Sequence, residues 1–84
     1  MHVTSFVAAV LTVHCHVPFS VTSWMRTPAH NKAVNGVADS YHLCGLGIDI
    51  VLDNPSDRPI VEQEAKRVGL SVLDEQDHLH LQPL

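Results

Sequence analysis

Apolar and polar positions along this chain alternate with two different periods, and the switches between them mark out short elements. Residues 3–16 are mostly apolar, with Phe6, Val7, Val10, Leu11 and His14 at the spacing of one helix face. A short helix packed on a sheet fits that spacing best, although the β-branched content leaves a strand as the alternative. Pro18 ends the element. Phe19-Ser20-Val21-Thr22-Ser23-Trp24 alternates with period two and predicts a strand. Residues 25–41 collect turn formers, from Pro28 through Asn35-Gly36 to Asp39-Ser40. They predict a long ordered loop with one helical turn near 29–34, and such loops in compact domains tend to carry function.

Residues 47–53 predict the next strand, terminated by Asn54-Pro55. In 57–68 Pro59 falls in the first turn of a predicted helix, where its missing N–H costs little. Glu62 and Glu64 precede Lys66 and Arg67, an order that suits the helix dipole. Ile60, Val61, Ala65 and Val68 form its apolar stripe, and Gly69 suits the position after its end. Residues 70–73 and 77–82 predict two strands of a hairpin around Asp74-Glu75-Gln76. The order of elements implies a single α+β domain over 1–84, a small, largely antiparallel sheet with one or two packed helices.

At 84 residues a hydrophobic core alone is marginal, so a bound metal would contribute to folding as well as to chemistry. Apolar residues make up 45%, which argues against disorder, and a formal charge of −4 provides no basic footprint for nucleic acid or an anionic membrane. No apolar run reaches the roughly 20 residues of a membrane span. The run 6–13 resembles a weak signal-peptide core, but Met1-His2-Val3-Thr4 carries no Lys or Arg and no cleavage site follows, so it is read as part of the fold. Cys15 and Cys44 form no CxxC pair; buried free thiols are the expectation, with a disulfide as the alternative.

Seven histidines are an excess in so short a chain, and they raise the prior for metal. Side chains alternate across a strand, so in 47–53 Ile48, Ile50 and Leu52 share one face while Asp49 points to the other. In 77–82 Leu79 and Leu81 share a face, and His78 and His80 lie opposite. Each strand therefore buries an aliphatic row and offers metal-type ligands on its reverse side. His42 reaches the same cleft only if the chain turns between it and Asp49, which Gly45 and Gly47 permit. Ser40 is placed to hydrogen-bond locally and hold that loop. A second H-x-H, His14-Cys15-His16, has no carboxylate close in sequence and reads as the end of the first element.

The decapeptide Ser40-Tyr41-His42-Leu43-Cys44-Gly45-Leu46-Gly47-Ile48-Asp49 resembles the S-x-H-x-x-G-x-[small]-x-D signature of the zinc D-alanyl-D-alanine peptidases. That family is grouped with lysostaphin-type enzymes and the hedgehog signalling domain, which share an H-x-H element. The stretch from Val21 to Asn31, with Arg26, is similar to the family's strand, Ser, Arg and Asn segment, and Asp77-His78-Leu79-His80 to its last strand. The resemblance covers residues 18–84. It implies a hedgehog/D-Ala-D-Ala-peptidase-like fold, one Zn2+, and hydrolysis of peptidoglycan stem peptides as a carboxypeptidase or an endolysin-type endopeptidase.

By the same resemblance His42, Asp49 and His80 bind the zinc, Asp77 is the general base, and His78 assists. Arg26 then faces the substrate or the polarised carbonyl, and Ser40 lies on the substrate side. Glu75 stands to His78 as Asp77 stands to His80, so a Glu75/His78 register is the alternative. A catalytic zinc of this kind keeps an open position for water. The expected setting is the cell wall, in the periplasm or outside the cell, with a monomer that suits a bacteriophage lysis or entry enzyme. A rival from another class is a non-catalytic, zinc-stabilised module that binds cell-wall peptide or a protein partner.

Overall fold

A computed structural model of the chain describes residues 1–34, 36 and 41–84. Helix α1 (Val3–His14) leads into strand β1 (Phe19–Ser23) and a short helix α2 (Pro28–Ala33). A 3-10 turn at Tyr41–Cys44 precedes strand β2 (Ile48–Leu52), and a second at Pro55–Asp57 runs into helix α3 (Arg58–Arg67). Strands β3 (Leu70–Asp74) and β4 (Leu79–Pro83) complete the chain. The strands form one sheet in the order β1-β2-β4-β3, with every pairing antiparallel. The architecture is therefore the expected α+β one.

The helices and strands form close to where the periodicities put them, with the last strand starting later, at Leu79, but several residues face differently. In α1 the buried stripe is Phe6, Ala9, Val10 and Val13, while Leu11 is 60% exposed. The helix is rotated so that its largest side chain, Phe6, is fully buried, and Leu11 is carried to the outside. Tertiary burial here overrides the weak helix propensity of its valines. In α3 Val61 and Ala65 are buried as expected, but Ile60 is 44% exposed and Glu64 takes its place on the inner side. Arg67 Nη1 donates to Glu64 at 3.0 and 3.3 Å, and His16 Nε2 lies 3.7 Å away, which makes that carboxylate tolerable.

His14-Cys15-His16 closes α1 as expected: His14 Nε2 lies 3.1 Å from the Phe19 carbonyl, and its ring meets that of Phe19 edge-on. Glu64 is the carboxylate neighbour of His16 that the local sequence does not reveal. Both cysteines are free and exposed rather than buried, because each sits where a helical segment ends at the surface. Among the described residues no helix is long and apolar enough to cross a membrane.

One face of the sheet carries Ile48, Ile50, Leu79, Leu81 and Leu70 into a single core with Phe6, Val10 and Val13 of α1 and Val61 and Ala65 of α3. The helices thus close one side of the sheet. The other side is left for β2 and β4 to present their alternate residues.

Candidate metal centre

The register of β2 against β4 builds the site. Ile48 pairs with Leu81, Asp49 with His80 and Ile50 with Leu79, so Asp49 and His80 are directly opposed on the side away from the helices. Both are nonetheless buried, at 5% and 6% exposure, because the loop bearing His42 covers them.

That loop is held by main-chain bonds to the chain leaving β1. A register shift between Val21 and Ser23 turns the end of β1, and Arg26 N–H then donates to the His42 carbonyl at 3.0 Å. Trp24 Nε1 donates to the Gly45 carbonyl at 2.9 Å, and Leu46 N–H to Tyr41 at 2.9 Å. Gly45 has φ +75°, a conformation glycine adopts without strain. A Cβ on Gly47 would lie 3.0 Å from both the His42 backbone nitrogen and His80 Cε1, so this glycine lets the His42 main chain pass close to the His80 ring. His42 is accordingly 2% exposed.

Three ligand atoms converge. His42 Nε2 is 3.1 Å and His80 Nδ1 3.0 Å from Asp49 Oδ1. The outer ring nitrogens face acceptors: His42 Nδ1 lies 2.5 Å from the Trp24 carbonyl and His80 Nε2 2.9 Å from Gln82 Oε1. With an N–H on each outer nitrogen and none on the inner, both inner lone pairs are aimed at one carboxylate oxygen, the arrangement of a ligand set. In that arrangement a cation among the three atoms satisfies all of them at once. A tetrahedral zinc at about 2.1 Å from each ligand holds them about 3.4 Å apart, close to what is found. The donor set fits the ion.

A second group lies beside the first and shares Asp49. His78 Nε2 is 3.6 Å from Asp49 Oδ2 and 3.1 Å from Glu75 Oε2, and Asp49, Glu75 and His78 also lie near enough together to hold a cation. β4 begins at Leu79, so Asp77 and His78 belong to the turn rather than to the strand expected at 77–82. Gln76, with φ +72° and its N–H on Asp74 Oδ1 at 2.9 Å, makes the turn. The consequence is an exchange of places: Glu75 Oε1 lies 4.0 Å from His80 Nδ1, whereas the Asp77 side chain is 90% exposed and bonds His78 Nδ1 at 2.7 Å. Asp77 thus meets His78 rather than the buried histidines. Burial opposes charge on His78, but the Asp77 hydrogen bond and the Asp49 and Glu75 carboxylates outweigh it and hold its pKa above the ordinary value.

Arg26 also sits differently from expectation. Its Nη2 donates to Asp49 Oδ2 at 3.2 Å and its Nη1 to Asn31 Oδ1 at 3.1 Å, with the side chain 13% exposed. The guanidinium faces the cluster's carboxylate rather than an open cleft, and its buried Nε has no hydrogen-bond partner among the described residues. Ser40 lies outside the described residues. Gln82 was not singled out from the sequence, although its spacing of two from His80 on one strand put it on the same face. Asn31, 4% exposed, is the other supporting residue, and it ends the stretch whose resemblance to the family's Arg and Asn segment drew attention to Arg26.

A family model described as Peptidase M15 matches residues 2–82 of the chain. No curated protein matches it.

Proposed function

Because the chain belongs to the peptidase M15 family, we propose that it is a zinc peptidase that hydrolyses D-amino-acid-containing peptide bonds of peptidoglycan. The observation that carries the reading is the convergence of His42 Nε2 and His80 Nδ1 on Asp49 Oδ1, at 3.1 and 3.0 Å. Zinc held by these three residues would supply Lewis acidity to a peptide carbonyl and to a water.

Glu75 is the proton carrier in this proposal. Its carboxylate reaches His78 Nε2 at 3.1 Å and flanks His80 Nδ1 at 4.0 Å, beside the cluster yet 46% exposed to incoming water. It takes the proton of the attacking water and passes it to the leaving amine. His78, fixed from behind by Asp77 at 2.7 Å, donates toward the oxygen on which negative charge develops. Arg26 holds the second oxygen of Asp49, which keeps the first directed at the metal. In this reading substrate reaches the site at the cell wall, and the protein acts as a monomer in a phage lysis or entry role.

The test is incubation of the zinc-loaded protein with purified peptidoglycan and with a peptide ending in D-Ala-D-Ala, scoring new free amines. Release of D-alanine from the peptide is expected of a carboxypeptidase, and amines from the polymer alone of an endopeptidase. Tight binding without release from either would instead support a non-catalytic cell-wall-binding module.

A further inference from the structure

The cluster on the β3–β4 turn repeats the build of the buried one. His78 Nε2 lies 3.1 Å from Glu75 Oε2 and 3.6 Å from Asp49 Oδ2. Those separations bracket the roughly 3.4 Å between two ligands of a tetrahedral zinc. Asp77 Oδ1 accepts from the other ring nitrogen at 2.7 Å, as Gln82 Oε1 accepts from that of His80. An acceptor behind an imidazole fixes its tautomer and leaves the opposite nitrogen for a metal.

Asp49 joins the two groups through different oxygens. Its Oδ1 faces His42 and His80, and its Oδ2 faces His78. Glu75 spans them in the same sense, with Oε2 on His78 and Oε1 4.0 Å from His80 Nδ1. That is the disposition of carboxylates between two ions, which in two-metal sites lie about 3.5–4 Å apart. The outer setting is the weaker one. Arg26 Nη2 also donates to Asp49 Oδ2, at 3.2 Å, and competes for that oxygen. Once the buried site holds a divalent ion, that ion and Arg26 balance the charges of Asp49, Glu75 and Asp77, so a second cation meets no net negative charge. His78 and Glu75 are 24% and 46% exposed, which leaves water to complete the coordination.

We propose that His78 Nε2, Glu75 Oε2 and Asp49 Oδ2 form a second, weaker zinc site that fills only when zinc is in excess and then stops turnover. Glu75 and His78, bound to the second ion, are withdrawn from carrying the proton and from facing the developing charge. Zinc uptake at this site rests on the geometry, and the loss of turnover rests on the peptidase reading.

The experiment starts from protein loaded with zinc and then desalted, so that only the tightly held ion is kept. Calorimetric titration with further zinc should show one more ion per chain, bound more weakly than the first. His78→Ala should abolish that second uptake and keep the first ion. Glu75→Gln and Asp77→Ala should each weaken it by about tenfold. His16→Ala, which alters a histidine–carboxylate pair elsewhere, should leave it unchanged. With a peptide ending in D-Ala-D-Ala, the rate should fall along the same titration by about 10²-fold, toward that of Glu75→Gln, and recover on desalting. No second uptake, or uptake that survives His78→Ala, would overturn the site. Full uptake with an unchanged rate would overturn its inhibitory role. If the peptide is never cleaved, the peptidase reading falls, while the calorimetry still decides the site.

Discussion

Two histidine–carboxylate clusters share Asp49, and they differ in what holds them. His42, Asp49 and His80 are buried and fixed by strand register, by main-chain bonds and by an outer acceptor on each ring. Glu75, Asp77 and His78 sit on the β3–β4 turn, with side chains 46%, 90% and 24% exposed. The inner cluster brings two ring nitrogens and a carboxylate oxygen together in a group that could hold a metal ion. In the outer one His78 bridges Asp77 and Glu75 at 2.7 and 3.1 Å, and these carboxylates hold its pKa above the ordinary value. Similar residue types thus offer different settings: rigid burial suits the proposed metal site, and a wet, hydrogen-bonded turn suits the proposed proton movement.

Substitutions should separate the two clusters. The largest effect belongs to Asp49→Ala, which removes the shared ligand and strips Arg26 of its carboxylate. Activity should fall to background, and a buried charge left unpaired should cost about 3 kcal/mol or more, read by denaturant unfolding. Next comes a contrast within the turn. Glu75→Gln should lower kcat by roughly 10²–10⁴-fold with zinc retained. Asp77→Ala, acting only through His78, should cost about tenfold. The opposite ranking would restore Asp77 as the base.

Gly47→Ala should weaken zinc by about tenfold, measured by chelator competition, since its new methyl presses on His42 and His80 without removing a ligand. Removal of Asp74, half exposed at the end of β3, should have the smallest effect. The Arg58 hydrogen bond, with that of the Gln76 N–H, holds the Asp74 carboxyl below its ordinary value. Its contribution is therefore present above the unfolded carboxylate range and lost as pH falls through the lower folded value. A small difference in Tm between wild type and Asp74→Asn at neutral pH should vanish in strong acid.

The sheet and its site were legible because period-two alternation in β2 and β4 carries its own information about faces. It put Ile48, Ile50, Leu79 and Leu81 inward and Asp49 and His80 together on the reverse. Helix rotation was less legible. In α1 nearly every position is apolar, so burial of Leu11 or of Ala9 is decided by the shape of the sheet it meets. The turn was harder still. Whether Glu75 or Asp77 approaches the histidines depends on the left-handed Gln76 and on where β4 begins, and neither has a periodic signal. Arg26 matched a pattern by position, but its pairing with Asp49 depends on the shift at the end of β1.

The most direct test is zinc content by elemental analysis across single substitutions in the two clusters. One zinc per chain should be found in the wild type and kept in His78→Ala and Glu75→Gln, yet lost in His42→Ala, Asp49→Ala and His80→Ala. Zinc that disappears with His78 or Glu75 and survives the loss of His42 would contradict the assignment of the buried cluster as the metal centre.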